Sequence, residues 1–319
     1  MDKIVAVVGP TASGKSALAL ALAGRLGGEI VSCDSMQIYR RMNIDTAKPT
    51  EAEMREIPHK LIDVAEPDED FSCADYVRLA TEATEDILSR ARLPIFCGGT
   101  GLYLDAFLRG TDFETTEIDE SLRRDLEEFA RVNGNDALHG MLREIDPESA
   151  DAIHKNNVKR VIRAIEIYKT SGKTKSELDR LSLEGEPRYD AVVIGLKYNS
   201  RELLANRIDT RVDVMLEEGL LEETRALYDE GIFEKNTTAT QAIGYKEMLG
   251  FIRGEMSLDE AADTLKSATR KYAKRQMTWF NAKKYVVWID ADDENGVRPF
   301  ENILADALDV LAQRGINKK

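Results

Sequence analysis

Apolar residues recur along this chain in two rhythms. Through residues 1–110, short uncharged runs (Ile4–Val8, Glu29–Ser32, Pro94–Cys97) alternate with amphipathic stretches. That alternation predicts a parallel α/β sheet with crossover helices. Lys60–Val64 is a further, less regular strand candidate. Helices are predicted over Ala17–Ala23, ending near Gly24 or the Gly27-Gly28 pair, and over Ser72–Arg90, which Ser72 is placed to cap. From 112 to 190 the rhythm changes. Helical periodicity runs through Leu122–Arg131, Asp136–Glu144 and Asn157–Thr170 without strand-like runs, and a buried strand returns at Tyr189–Leu196. Helices follow at Arg201–Glu218, Leu220–Glu230, Ala239–Arg253 and Ser257–Asn281, then a strand at Tyr285–Ile289 and a helix over Pro299–Gln313. The expected organisation is a core from residues 1–111 and 191–319, with 112–190 as a mostly helical insertion. A row of ordinary crossover helices within one domain fits 112–190 as well.

Between the first strand and the first helix lie Gly9, Pro10, Thr11, Ala12, Ser13, Gly14, Lys15 and Ser16, a complete G-x-x-x-x-G-K-[ST] phosphate loop. Its glycines let backbone N–H groups turn inward around an anion, and the helix N-terminus adds a favourable dipole. Lys15 is placed for distal phosphates and the Ser16 hydroxyl for Mg²⁺. A glycine turn before an ordinary helix is the bland alternative. The four fixed positions arise by chance in roughly one chain in a hundred of this size, and the strand–loop–helix setting lowers that further. A phosphorylated ligand is expected.

Composition changes little in this picture until charge is mapped. With 43% hydrophobic and 32% charged residues, the 319-residue chain is expected to be soluble and globular. No apolar run approaches the roughly 20 residues of a membrane span, and the phosphate loop follows Met1 too closely for a secretory leader. Cys33, Cys73 and Cys97 are scattered, which points to a reduced cytoplasm and away from a structural zinc site. The net charge of −14 argues against a nucleic-acid partner, yet seven basic residues crowd Lys155–Lys175 against Glu166 alone. Seven more fill Lys266–Lys284 with no acid. Binding follows where positive charge gathers rather than its net value.

Ligands of open α/β sheets sit outside the carboxyl ends of the strands. Asp34, just past the second strand, is placed to hold Mg²⁺ through water, to accept a proton, or simply to cap the next turn. The third strand runs into Gly98-Gly99-Thr100-Gly101, whose glycines allow backbone to approach a ligand closely and aim Thr100 at the phosphate loop; a flexible turn is the other reading. This strand lacks a Walker B aspartate, which weakens an ordinary ATPase or kinase reading. Arg207 and Arg211 share a helix face and either clamp a diphosphate or line a solvated surface. Lys159 with Arg163, Arg270 with Lys274 and Lys271 with Arg275 repeat that spacing. Tyr272, Trp279 and Phe280 interleave the last pairs, as suits stacked bases or a buried helix face.

Taken together, these motifs resemble the tRNA dimethylallyltransferases, also called isopentenyl-diphosphate:tRNA transferases. The matching segments are Gly9–Ser16, Asp34–Tyr39, Thr46–Pro49, Pro58–Asp63, Gly98–Tyr103, Lys159–Glu166, Gly172-Lys173, Arg207–Asp213, Ala242–Glu247 and Thr269–Phe280, in family order. The resemblance implies transfer of a dimethylallyl group from its diphosphate to the exocyclic amine of the adenosine 3′ to the anticodon, in tRNAs reading codons that begin with U. It implies a P-loop core, a Mg²⁺ cofactor supported by Ser16, no membrane, and a monomer. Lys15 and Arg207 would stabilise the leaving diphosphate, Asp34 would take the amine proton, and Thr100 would orient the reactants. The tRNA would be touched by Asp34, Ser35, Met36 and Gln37, and by Thr100 and Arg123. Further contacts would come from Lys159, Arg160, Val161, Ile162 and Arg163, and from Ala242, Ile243, Gly244, Tyr245, Lys246 and Glu247. The last group would be Lys274, Arg275, Gln276, Met277, Thr278, Trp279 and Phe280. The chain departs from the family pattern at Asp45, usually Gly, at Lys60, at Lys155 and Asn157, and at Asn281, usually Arg. A small-molecule kinase and a non-catalytic RNA-binding module are the competing readings.

Overall fold

A computed structural model describes residues 1–110, 119–184, 187–235 and 237–317, leaving aside the side chains of residues 182–184. The chain divides into two compact units, Met1–Leu108 with Arg188–Lys319, and Arg109–Pro187. The expected 111–112 boundary lies outside the described residues.

In the first unit, β1 (Lys3–Val8), β2 (Gly28–Ser32), β3 (His59–Lys60), β4 (Leu93–Gly98), β5 (Asp190–Lys197) and β6 (Val286–Asp290) form one sheet. The strand order is β3-β2-β4-β1-β5-β6, and every pairing is parallel. This is the α/β sheet that the apolar runs predict. β1 lies between β4 and β5, with Val8 level with both Gly98 and Gly195, so the carboxyl ends of the central strands share one edge. Both faces are covered, which is why the strands read as continuous apolar runs. Leu18 and Leu22 of the Lys15–Leu26 helix and Leu304 and Leu311 of the Phe300–Gln313 helix pack on one face. Tyr76, Ile87, Phe107 and Phe280 pack on the other. A third cluster joins Ile38, Tyr39 and Met42 to Tyr245, Met248 and Leu265. Among the described residues no helix is long and apolar enough to cross a membrane.

The structure corrects several expected elements. The strand expected at Lys60–Val64 is only His59–Lys60, because Leu61 and Asp63 turn into left-handed backbone at φ 62° and 56°. The following amides pair instead with the Gln37–Ile38 segment. The helix expected over Ala239–Arg253 is a 3₁₀ turn at Ala239–Gln241 followed by a helix over Tyr245–Ile252. Gly244 breaks it at φ 100°, a conformation that only glycine adopts without strain. Helices at Glu51–Glu56, Gly101–Arg109, Pro147–Ala152 and Lys175–Glu184 have no counterpart in the sequence reading.

The second unit consists of helices over Glu120–Asn133, Asn135–Ile145, Pro147–Ala152, Val158–Ser171 and Lys175–Glu184, with no strand among its described residues. They close around Leu126, Leu138, Leu142, Val161 and Ile165. Glu166 is fully buried there, and Arg123 and Arg163 both pair with it.

Candidate active site

β1 delivers the phosphate loop to the sheet edge, where Ser13 N–H donates to the Pro10 carbonyl at 3.3 Å. The loop is braced from outside by Gln276, on the long Leu258–Asn281 helix. Its Oε1 accepts from Thr11 N–H at 2.8 Å and its Nε2 donates to the Gly99 carbonyl at 3.2 Å. Lys15 Nζ rests 3.3 Å from the Pro10 carbonyl. Burial holds its ammonium below the usual lysine range and Arg211 pushes the same way, against Cys97 and Asp34. A cation so placed gains from any anion that enters.

In front of the loop lies a pocket of about 600 Å³, lined among others by Lys15, Ser16, Asp34, Arg207, Arg211 and Tyr272. Arg207 is anchored by Nε–H donation to the Ala12 carbonyl at 2.9 Å, and its guanidinium lies 5.6 Å over the Tyr198 ring. Arg211 is held less completely. Its Nη2 reaches the Asp45 carbonyl only at 3.5 Å, and its Nε is buried without a partner. Burial lowers its affinity for its proton, while Asp45 and Asp34 raise it. Both arginines line the pocket, Arg207 exposed at it and Arg211 half-buried.

Asp34 follows β2, and one carboxylate oxygen accepts from Met36 N–H at 2.9 Å, closing a tight turn. The second oxygen makes no hydrogen bond among the described residues, so the turn cap leaves one oxygen open to the pocket. The Thr100 hydroxyl is engaged by Ser35. Its hydroxyl oxygen accepts from Ser35 N–H at 3.0 Å and lies 3.3 Å from Ser35 Oγ, which fixes the turn that carries Asp34. The glycines around it serve close approach by protein rather than by ligand. A Cβ at Gly98 would meet the Cys33 carbonyl oxygen at 2.0 Å, at Gly99 the Gln276 amide at 1.9 Å, and at Gly101 the Trp279 ring at 2.2 Å.

Several residues expected to touch RNA do not present their side chains. Val161 and Ile162 fill the core of the helical unit, and Ala242, Tyr245 and Phe280 are buried in the sheet unit. They lie at inward positions of amphipathic segments whose outward positions carry the charge. Gln276 is likewise buried, in its brace. Lys159, Arg160, Lys246, Lys274, Arg275, Thr278 and Trp279 are exposed, and Met36, Ile243, Glu247 and Met277 are half-buried. Arg123 and Arg163 are largely committed to Glu166. On the long helix, Lys266 pairs with Asp213 at 2.6 Å, Arg270 with Asp209 and Lys283 with Asp105. Lys271, Lys274 and Arg275 have no ion pair among the described residues; with Trp279 they line a second, open hollow.

Two contributors escaped the sequence reading. Tyr198, under Arg207, carries no motif. Glu223 reads as one acid among many, yet it accepts from the Asn43 and Ile44 amides at 3.0 Å and from the Tyr245 hydroxyl at 2.6 Å. It thereby fixes the loop bearing Asp45, and nothing local in the sequence signals that.

The family model described as IPP transferase matches residues 37–283, and one described as isopentenyl transferase matches residues 2–66. A tRNA dimethylallyltransferase of Acetivibrio thermocellus is 50% identical over 92% of this chain and 93% of its own length. One from Halalkalibacterium halodurans is 47% identical over 97% and 98%. The crystal structure of a tRNA isopentenylpyrophosphate transferase from Bacillus halodurans superposes with a TM-score of 0.73 at 45% identity, covering 98% of this chain and 97% of that one. A eukaryotic dimethylallyltransferase acting on tRNA superposes at 0.83 with 30% identity, covering 99% and 80%.

Proposed function

We propose that this chain, which belongs to the IPP transferase family, is a tRNA dimethylallyltransferase. It moves a dimethylallyl group from dimethylallyl diphosphate to the exocyclic amine of the adenosine 3′ to the anticodon, in tRNAs reading codons that begin with U. The observation that carries this reading is one pocket holding both the phosphate loop and the Asp34 carboxylate. The first suits a diphosphate, the second a proton donor that becomes acidic as it is alkylated.

In this reading the loop amides, Lys15 and Arg207 neutralise the diphosphate as the allylic C–O bond breaks. The adenosine amine forms the new C–N bond, and its proton passes to the unbonded oxygen of Asp34. Thr100 acts through Ser35, holding the Asp34 turn in register. The adenosine has to leave its stack to reach the pocket. Lys159, Arg160, Lys246, Lys274 and Arg275 supply cations for the tRNA backbone, and Trp279 an aromatic face.

The residues present suit Mg²⁺ carried in with the substrate. No cluster of three or more His, Cys, Asp or Glu is found among the described residues, whereas Ser16 offers its hydroxyl at the pocket wall. Mg²⁺ is commonly held by one or two protein oxygens plus substrate phosphates and waters. When bound, it would add positive charge on the leaving diphosphate. The same reading has the protein working as a monomer in the cytoplasm.

Incubation with dimethylallyl diphosphate, Mg²⁺ and unmodified tRNA is expected to yield isopentenyladenosine, read by nucleoside mass spectrometry. No product with a verified acceptor tRNA, or ATP turnover outpacing prenyl transfer, overturns the reading.

A further inference from the structure

Asp45 brings a second carboxyl group into the pocket that holds Asp34, Lys15 and Arg211. Its loop is fixed on both sides. Glu223 accepts from the amides of Asn43 and Ile44, and Gln37 Nε2 donates to the carbonyls of Thr46 and Ala47 at 3.0 and 3.1 Å. The carboxyl group lies directly over Gly244, where a Cβ would come within 2.1 Å of its Oδ1. No hydrogen bond reaches that carboxyl group among the described residues. Beside it, Arg211 keeps a buried, unpartnered Nε and a marginal 3.5 Å contact to the Asp45 carbonyl. A half-buried acid and a half-buried base thus line one pocket with bonds unmade, in a site built for an anion.

We propose that Asp45 is a positioning residue that makes capture of the diphosphate depend on a proton: ionised, its carboxylate holds Arg211 to itself, and protonated it leaves that guanidinium to the incoming anion. The proposal rests on reading this pocket as the diphosphate site. The groups facing Asp45 are Arg211 from the Arg201–Glu217 helix, Glu223 from the Leu220–Asp229 helix, Tyr245 and Glu247 from the Tyr245–Ile252 helix, and Asp34 after β2. Burial, joined by Glu247, Asp34 and Glu223 and opposed by Arg211, pushes the Asp45 carboxyl up to about 8. Anion binding favours the protonated form, so affinity falls as pH rises through that value.

Lys15 and the diphosphate titrate too, so the test compares the wild type with Asp45→Asn, which keeps the shape and removes the titration. Asp45→Gly, the residue of the family pattern, serves as a second variant. Calorimetry of inorganic pyrophosphate with Mg²⁺ on the full chain, at pH 7 and pH 9, reads Kd. Between these values the wild-type Kd is expected to rise about tenfold more than that of either variant. In steady state the difference should appear in KM for dimethylallyl diphosphate and not in kcat. Wild-type and variant pH profiles that run parallel overturn the proposal. Pyrophosphate binding is read without tRNA, so absence of prenylated product at every pH would strike the functional reading instead.

Discussion

Both units place a carboxyl group beside arginine, with opposite consequences. In the helical unit, Glu166 accepts from Arg123 Nε at 2.8 Å, from Arg163, and from the Asp119 amide at 3.0 Å. Burial alone would raise its carboxyl group, but the bonds from Arg163, Arg123 and Asp119 together hold it below the usual range. In the sheet unit Asp45 has one arginine close by, no hydrogen bond to its carboxyl group among the described residues, and a pKa driven upward. Hydrogen bonds to the carboxyl group mark the difference: Glu166 has them from Arg163, Arg123 and Asp119, and Asp45 has none among the described residues. A carboxylate whose lone pairs are satisfied organises a fold; one left wanting is available to a ligand or a proton.

The sharpest way to break this comparison is to delete a carboxylate from each region. Asp34→Ala is expected to lower kcat on the order of 10²- to 10⁴-fold, the worth of a positioned general base. Its tRNA affinity and urea midpoint should stay near wild type; single-turnover kinetics with saturating tRNA read the first. Glu166→Ala should do the reverse. Two arginines lose their shared acceptor, at a cost of about 3 kcal/mol, while pyrophosphate binding by the sheet unit persists. Urea unfolding followed by far-UV circular dichroism measures it. If Glu166→Ala left the transition unmoved, the difference between satisfied and unsatisfied carboxylates would lose its meaning here.

The same contrast explains what could be read in advance. β1, β4 and β5 were legible because a strand buried on both faces must be an uncharged run, and the phosphate loop because its chemistry is contiguous. β3 was not, since two residues carry no periodicity and its end depends on left-handed backbone at Leu61. The break at Gly244 was hidden for a related reason. A glycine inside an amphipathic stretch does not announce its φ, and the Asp45 carboxyl group that covers it comes from a distant loop. Spacing placed Arg207 and Arg211 on one face but could not say that the face lines a pocket. Nor could it distinguish Lys271, which has no ion pair among the described residues, from Arg270, which meets Asp209. Residue type gives the charge; only the fold gives the partner.

A gentler test titrates Glu166 instead of deleting it. Its folded pKa lies below the ordinary value of 4.5. The stability it contributes is therefore complete above that value and drains away as pH falls through the folded one. Between pH 6 and pH 3.5, the wild type is expected to lose more unfolding free energy than Glu166→Gln, which has no such proton to bind. Equal losses in urea titrations would mean that the arginines do not sense its charge.

The smallest effect concerns cations that are already spoken for. Each phosphate neutralised by a free lysine or arginine contributes about 0.7 to 0.9 to the slope of log K against log salt. Lys271 and Lys274 have no ion pair among the described residues, so replacing both with Ala should flatten the slope of tRNA binding by about 1.5. Arg163→Ala removes one formal charge from the other basic island, yet that charge is committed to Glu166. Its salt slope should stay within error of wild type while its urea midpoint falls. Filter binding across a salt series separates the two variants. A flattened slope for Arg163→Ala would show that the arginine releases Glu166 when RNA arrives, and that the helical unit's ion cluster opens on binding.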